Sequence, residues 1–230
     1  CRFAVMNPEL TYTLPDYQTQ CGCTDIMMHT MERYFNMSEN MELTDGISEA
    51  LIKTVMKHSK ILKEHPDCYE SRAEVMWASS LSHNDLTGCG TDGGDWACHQ
   101  LEHEIGGMFD VAHGAGLAAV WGSWARYVYK ARPERFAKFA RNIFNIQETD
   151  DEKAAVAGIE AMENYYRSVG MPTSLCELGI HATEEQIKEM ADKCSFYGKR
   201  TVGVMKKIGA PEAAEIYRMA NDKSIPLYSR

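Results

Sequence analysis

Three of the chain's eight histidines lie between His99 and His113, at spacings that can bind a metal ion. His99 and His103 are four residues apart, so on a helix their side chains share one face, with Cβ atoms roughly 6 Å apart. His113 follows His99 by fourteen residues, which on an unbroken helix would separate the two by about 21 Å. The helix must therefore be interrupted if all three histidines act together.

Glycines provide a candidate interruption. Gly106 and Gly107 each weaken a helix by about 1 kcal/mol relative to alanine, and Gly114 permits the backbone to reverse beside His113. We therefore predict that the chain folds back in this region and that the next helix begins at Leu117.

A second pair at chelating spacing lies far upstream. Asp25 and His29 are four residues apart in the segment GCTDIMMHTMERYF. One carboxylate oxygen with two or three imidazoles suits Fe²⁺, Zn²⁺, Mn²⁺ or Co²⁺ and leaves a position for a substrate oxygen. Spacing alone does not decide between His99 and His103 as the ligand. The remaining histidines have no partner at chelating spacing and are expected at the surface or at helix caps: His58, His65, His83 and His181.

The rest of the sequence predicts the helices that must position these groups. Apolar residues recur at helical spacing from residue 23 onward, and Thr183 with Gln186 forms a capping box. The predicted helices span residues 25–34, 48–63, 71–81, 96–109, 117–130, 133–144, 151–169, 183–196 and 211–220. A short apolar strand at residues 1–5 and a loop precede them, so the expected fold class is all-α with a short N-terminal strand.

Composition limits the function classes. The formal net charge is −9, with acidic and basic residues mixed along the chain, which argues against nucleic acid or an anionic membrane as the main partner. No apolar run approaches the roughly 20 residues needed to span a bilayer. Eight cysteines without a regular framework indicate free thiols. We expect a globular cytoplasmic protein.

Three segments carry a resemblance to a known family: NPELTYTLPDYQTQCGCTDIMMHTMERYF, LSHNDLTGCGTDGGDWACHQLEHEIGGMFDVAHGAGLAAVWGSWARYV and TVGVMKKIGAPEAAEIYRMA. They resemble the iron-containing alcohol dehydrogenases, and more narrowly the bacterial butanol dehydrogenase branch, over essentially the whole chain. The resemblance implies a two-domain enzyme with an N-terminal α/β domain that binds NAD(H) or NADP(H). It also implies a C-terminal all-helical domain of the dehydroquinate synthase-like type that holds the metal.

The resemblance also implies roles for individual residues. Asp25, His29, His99 and His113 would be the four ligands of Fe²⁺ or Zn²⁺. His103 would lie in the cleft beside the nicotinamide and the substrate, as a proton relay and a cofactor contact. Five apolar residues could wall a pocket for an alkyl chain or equally belong to the core: Met27, Met28, Trp96, Phe109 and Trp121.

The family's Gly-Gly-Gly-Ser phosphate-binding turn has no counterpart in this sequence. We therefore expect residues 1–22 to be a strand and loop left from the nucleotide-binding domain, and residues 23–230 to be the all-helical metal-binding domain. Such a C-terminal piece is not expected to turn over alone.

The expected function is hydride transfer between NAD(P)(H) and a small primary alcohol or aldehyde, in a homodimer. Two alternatives stay open. An all-helical metal-dependent hydrolase would also gather His and Asp from several helices, although the adjacent His-Asp pair typical of such phosphoesterases is absent here. A metal-binding or self-associating module without catalysis is the other alternative.

Overall fold

The computed structural model describes residues 2–222, which form nine α-helices. Their bounds are α1 Asp16–Tyr34, α2 Glu42–Glu64, α3 Tyr69–His83, α4 Ala97–Phe109, α5 His113–Val128, α6 Pro133–Phe144, α7 Asp151–Ser168, α8 Glu184–Cys194 and α9 Ala210–Asn221. Short 3₁₀ turns lie at Pro8–Thr11, Leu86–Gly88 and Tyr129–Ala131. Within this range the one β pairing is an isolated antiparallel bridge between Val202 and Ile208. The predicted all-α fold is confirmed.

Helix α5 forms the centre of the fold, because it packs against α1, α4, α7 and α9. Every residue from Gly114 to Arg126 is buried, as expected for a helix that is apolar around its whole circumference. At Gly114 the backbones of α5 and α1 touch, since an added Cβ would lie 2.6 Å from the carbonyl carbon of Cys21. The first turn of α5 is therefore held directly against α1.

Helix α1 begins at Asp16, nine residues before its predicted start. The sequence of this first part is polar, but its side chains find partners inside the bundle. The Gln20 amide donates to the carbonyl of Ser59, and the Thr19 hydroxyl accepts from Arg72. Hydrophobic periodicity alone therefore misses the first two turns of a helix that contacts α2, α3 and α5.

The strand expected at residues 1–5 is not formed over residues 2–5, and Cys1 lies outside the described residues. Phe3 and Val5 are each 84% exposed. A strand is stabilised by pairing with a neighbour, and residues 2–222 contain no other strand to pair with. The division expected between residues 22 and 23 falls within the continuous helix α1.

The connection between α4 and α5 differs from the prediction. Gly106 and Gly107 lie inside α4, because a cost of about 1 kcal/mol per glycine is outweighed by packing of the helix's buried apolar face. The chain instead reverses at Asp110, whose φ of 53° is left-handed. Helix α5 then begins at His113, four residues before the predicted start at Leu117.

The start of α8 agrees with the sequence prediction, and the start of α2 differs from it. Thr183 caps α8, and the predicted capping box with Gln186 is present. Helix α2 starts at Glu42, six residues before its predicted start at residue 48, so Asp45 lies inside the helix. No helix in residues 2–222 is both long enough and apolar enough to cross a membrane.

Asp45 forms a buried ion pair that joins α2 to α6. Its carboxylate accepts from both terminal nitrogens of Arg135, at 2.5 and 2.6 Å, and from Lys138 Nζ at 2.6 Å. The side chains of Asp45 and Arg135 are only 4% and 6% exposed. Burial raises the pKa of Asp45, but the two cations outweigh burial and hold its pKa below the usual value.

We expect Asp45→Asn to lower the free energy of unfolding by about 3 kcal/mol, because Arg135 would stay buried without its counter-charge. Since the folded pKa of Asp45 is lowered, its stabilisation is present above the unfolded pKa of about 3.9 and is lost as the pH falls below it. Urea denaturation at several pH values measures both effects. The control is Glu189→Gln in the exposed Glu189–Lys193 pair, which should cost less than about 1 kcal/mol. Equal losses in the two variants would contradict the assignment.

Candidate metal centre

Helices α1, α4 and α5 bring polar side chains to one place in the bundle. Asp25, His29 and Glu32 lie at positions i, i+4 and i+7 of α1, so they share one face of that helix. His99 lies in the first turn of α4, and His113 is the first residue of α5. The two helix beginnings project both imidazoles toward the polar face of α1.

One oxygen of Asp25 lies among three imidazoles. Asp25 Oδ1 is 3.6 Å from His29 Nε2, 3.6 Å from His99 Nε2 and 3.5 Å from His113 Nε2. These separations are long for hydrogen bonds. Two ligand atoms bound to one tetrahedral cation lie about 3.4 Å apart when each metal–ligand bond is about 2.1 Å long. The observed separations are close to that distance. The structure therefore brings the four expected ligands together.

The polarity of these atoms fits a cation between them. Asp25 Oδ1 and His99 Nε2 are buried and have no hydrogen-bond partner, a costly arrangement for a carboxylate unless a cation completes it. Burial raises the pKa of Asp25, but His113 and His99 outweigh burial and hold its pKa below the usual range. Burial lowers the pKa of His29 to about 4, so this imidazole is neutral and its lone pair is free at pH 7.

Two buried glutamates hold the outer edges of two imidazoles. Glu32 Oε1 accepts from His99 Nδ1 at 3.0 Å and from the His99 backbone N–H at 2.9 Å. Glu102 Oε2 accepts from His113 Nδ1. A proton on Nδ1 leaves Nε2 with its lone pair directed at Asp25, the arrangement usual for metal-bound histidines. The nearby carboxylates of Asp25 and Glu102 raise the pKa of His113 to about 10, and a cation bound at Nε2 would displace the proton from that nitrogen.

Sequence reasoning missed both glutamates, although their spacing offered a signal. Glu32 follows Asp25 by seven residues and Glu102 follows His99 by three, so each shares a helix face with a ligand. Glutamates are too common on helices for this spacing to be noticed without the partner helix in place.

We expect Glu32→Gln to weaken Zn²⁺ binding about 10- to 100-fold, the usual cost of losing a partner behind a ligand. The amide still accepts a hydrogen bond from His99 but no longer carries the charge that makes the imidazole a stronger donor. Competition with a coloured chelator measures the affinity. The control is Glu104→Gln, which replaces a half-buried glutamate of α4. Equal affinity of the two variants would remove Glu32 from the metal centre.

His103 lies beside these groups rather than among them. Its ring centre is 5.8 Å from that of His113 and 6.4 Å from that of His99. A ligand atom of His103 lies within 4.8 Å of atoms of both Glu102 and His113. The side chain is exposed, and partial burial still lowers its pKa. His103 is therefore placed to exchange protons with solvent at the edge of the centre.

His83 also reaches the centre, although it has no partner at chelating spacing in the sequence. It is the last residue of α3, and its Nε2 lies 3.7 Å from Asp25 Oδ2. Its ring centre is 3.9 Å from that of His29. The side chain is exposed, as expected, but its contact with Asp25 joins two helices that are distant in the sequence, and no spacing rule within one helix can find it.

The apolar residues considered for a substrate pocket divide into two groups. Met27, Met28 and Trp121 are fully buried members of the core. Trp96 precedes α4 with a φ of 60°, and its ring centre is 5.4 Å from that of His29. Phe109 is partly buried at the end of α4. Trp96 therefore contacts the centre directly through the rings of His29 and His99.

The fold agrees with what comparison with known proteins finds. The family model described as "Fe-containing alcohol dehydrogenase family, C-terminal" matches residues 19–220. The chain therefore belongs to the iron-containing alcohol dehydrogenase family, and the resemblance noted from its motifs is confirmed.

Individual relatives lie in the butanol dehydrogenase branch. NADH-dependent butanol dehydrogenase A of Clostridium acetobutylicum is 36% identical over 219 residues, which cover 94% of this chain and 56% of that protein. The NADPH-dependent aldehyde reductase YqhD of Escherichia coli is 32% identical over 95% of this chain and 56% of its own. The crystal structure of NADH-dependent butanol dehydrogenase A from Thermotoga maritima superposes with a TM-score of 0.87 at 36% identity, over 94% of this chain and 55% of that one. The chain thus spans little more than half the length of these relatives.

Proposed function

We propose that this chain supplies the metal-holding part of an NAD(P)H-dependent alcohol dehydrogenase or aldehyde reductase that acts on small primary alcohols and aldehydes. The observation that carries the proposal is the position of Asp25 Oδ1, within 3.6 Å of Nε2 of three histidines. The names of the relatives, which specify butanol, aldehydes and both nicotinamides, support it. A divalent iron or zinc ion bound here supplies Lewis-acid polarisation of a carbonyl oxygen.

The chain's own residues set the electrostatics of that chemistry. One carboxylate and three neutral imidazoles would leave a divalent site with a net charge of +1, which still favours an oxygen that gains negative charge. Glu32 and Glu102 fix the ring orientation of His99 and His113, so Nε2 of each faces Asp25. Preorganised donors of this kind do not need to reorient during the reaction.

His103 is proposed as the proton relay and nicotinamide contact. Its lowered pKa keeps the imidazole neutral at pH 7, so it can accept the proton that an alcohol loses during oxidation. Its exposure allows that proton to pass to solvent. In aldehyde reduction the same path runs in reverse.

We further propose that the nicotinamide is bound by a separate nucleotide-binding domain, that the residues before α1 connect to it and that helices α1 to α9 form the metal-binding domain. The active form is proposed to be a homodimer. On this proposal the chain alone binds metal but does not oxidise NADH or NADPH.

The test is turnover by the chain joined to a nucleotide-binding domain, with Fe²⁺ or Zn²⁺, butyraldehyde and NADH or NADPH, followed by nicotinamide absorbance. The expected result is aldehyde-dependent loss of reduced cofactor. A parallel assay offers a chromogenic phosphoester. Hydrolysis without cofactor oxidation would replace the proposal with a metal-dependent hydrolase, and metal binding without either reaction would replace it with a non-catalytic module.

A further inference from the structure

We propose that His83 is a fifth protein ligand of the metal centre and binds the cation through Nε2 on its solvent-facing side. The inference rests on the proposed metal site and adds a fourth imidazole to it. His83 belongs to α3, a helix that contributes none of the other four ligands.

The distances around His83 repeat those of the other histidines. His83 Nε2 is 3.7 Å from Asp25 Oδ2, close to the 3.6 Å that separates His29 Nε2 from Asp25 Oδ1. Both are long for hydrogen bonds and suit two donors that share one cation. Asp25 thus faces one imidazole with Oδ2 and three with Oδ1.

The positions of the imidazole rings agree with histidines that bind one metal ion at neighbouring coordination positions. An imidazole bound through Nε2 places its ring centre about 3.2 Å from the metal, so two such rings at right angles have centres about 4.5 Å apart. The ring centres of His29 and His99 are 4.6 Å apart with their planes at 75°, close to this arrangement. Those of His83 and His29 are 3.9 Å apart with their planes at 33°, which is near enough for both imidazoles to bind one ion at adjacent positions.

The hydrogen bonds of His83 leave Nε2 with its lone pair. Nδ1 lies 3.1 Å from the Ser79 carbonyl oxygen, which can only accept, and 2.7 Å from Ser82 Oγ. The Ser82 hydroxyl donates to the same Ser79 carbonyl at 2.9 Å. The proton of the neutral ring therefore belongs on Nδ1. The lone pair of His83 Nε2 then faces Asp25 Oδ2, and two acceptors at this distance repel each other. A cation between them would attract both.

The exposure of His83 indicates which position it would occupy. Its side chain is 41% exposed, as is that of His113, against 20% for His29 and 6% for His99. The three other histidines and Asp25 would fill four positions on the cation, and a substrate oxygen would bind at a fifth position on the accessible side. His83 would thus be a displaceable ligand that holds the cation until substrate arrives.

Cobalt binding tests the inference without relying on turnover. The chain and its His83→Ala variant are titrated with Co²⁺, whose visible bands are weak at five-coordinate and stronger at four-coordinate sites. We expect weak bands in the unaltered chain, stronger bands in His83→Ala and a loss of Zn²⁺ affinity of at least about tenfold. His83→Gln, which keeps a hydrogen-bonding group, should behave like His83→Ala. His65→Ala, at an exposed histidine without side-chain contacts to the centre, should match the unaltered chain.

Three results would overturn the inference, and they are distinguishable. Identical bands and affinity in His83→Ala would show that the centre binds metal without His83. Full recovery in His83→Gln would show that His83 only holds Asp25 in place through a hydrogen bond. An unaltered chain that binds no Co²⁺ would overturn the proposed metal centre itself.

Discussion

Replacement of His99 by alanine should abolish metal binding while the helices stay folded. His99 Nε2 is buried 3.6 Å from Asp25 Oδ1 and has no hydrogen-bond partner. Loss of this nitrogen therefore breaks no hydrogen bond of the fold. Loss of the ring also leaves the buried Glu32 carboxylate with only the backbone N–H of residue 99, which should cost about 1–3 kcal/mol of stability. Elemental analysis of anaerobically purified protein measures bound metal, and circular dichroism checks the helices.

The matched control is His103→Ala, which removes an exposed imidazole from the same helix, one turn away. It should keep nearly all of the metal, whereas His113→Ala should lose it as His99→Ala does. Equal metal loss in the His99 and His103 variants would contradict the proposed ligand set. Metal retained after loss of Asp25 and His29 together would contradict it as well.

The second large effect is expected at Gly114, which follows His113 in the first turn of α5. Gly114→Ala should lower the free energy of unfolding by about 2–3 kcal/mol, because the new Cβ would lie 2.6 Å from the carbonyl carbon of Cys21 and the two backbones would have to separate. The first turn of α5 must then move away from α1 and take His113 with it. Zn²⁺ affinity should fall by at least about tenfold, as measured by chelator competition alongside thermal or urea unfolding.

Gly107→Ala separates this steric effect from the general effect of replacing a helical glycine. Gly107 lies inside α4, and its added Cβ would meet no atom within 4 Å. Alanine there should raise the free energy of unfolding by about 0.5–1 kcal/mol and leave metal affinity unchanged. If Gly114→Ala were as harmless as this control, the close approach of α1 and α5 would not position His113.

The sequence was informative where one helix carries the whole pattern. Asp25 with His29, and His99 with His103, are four residues apart, and that spacing alone brings each pair to one helix face. The choice of His99 over His103 came from family resemblance, and the structure gives it a physical reason. Glu32 accepts from Nδ1 of His99, whereas His103 lies farther out.

The parts that the sequence missed depend on contacts between helices. The polar start of α1 at Asp16 is stabilised by α2 and α3, and His83 meets Asp25 only after α3 has packed against α1. Glycine permits a chain reversal, so the sequence predicts a turn at Gly114. The chain instead turns at Asp110, and Gly114 allows the backbones of α5 and α1 to touch. Local rules find which residues share a face and do not find which faces meet.

The most direct test of the account is a crystal structure of the Zn²⁺-loaded chain with an anomalous difference map at the zinc edge. The account predicts one strong peak about 2.0–2.2 Å from Asp25 and from Nε2 of His29, His99 and His113. A peak held by Glu102 and His103 instead, or a map with no peak among the side chains of α1, α4 and α5, would contradict it.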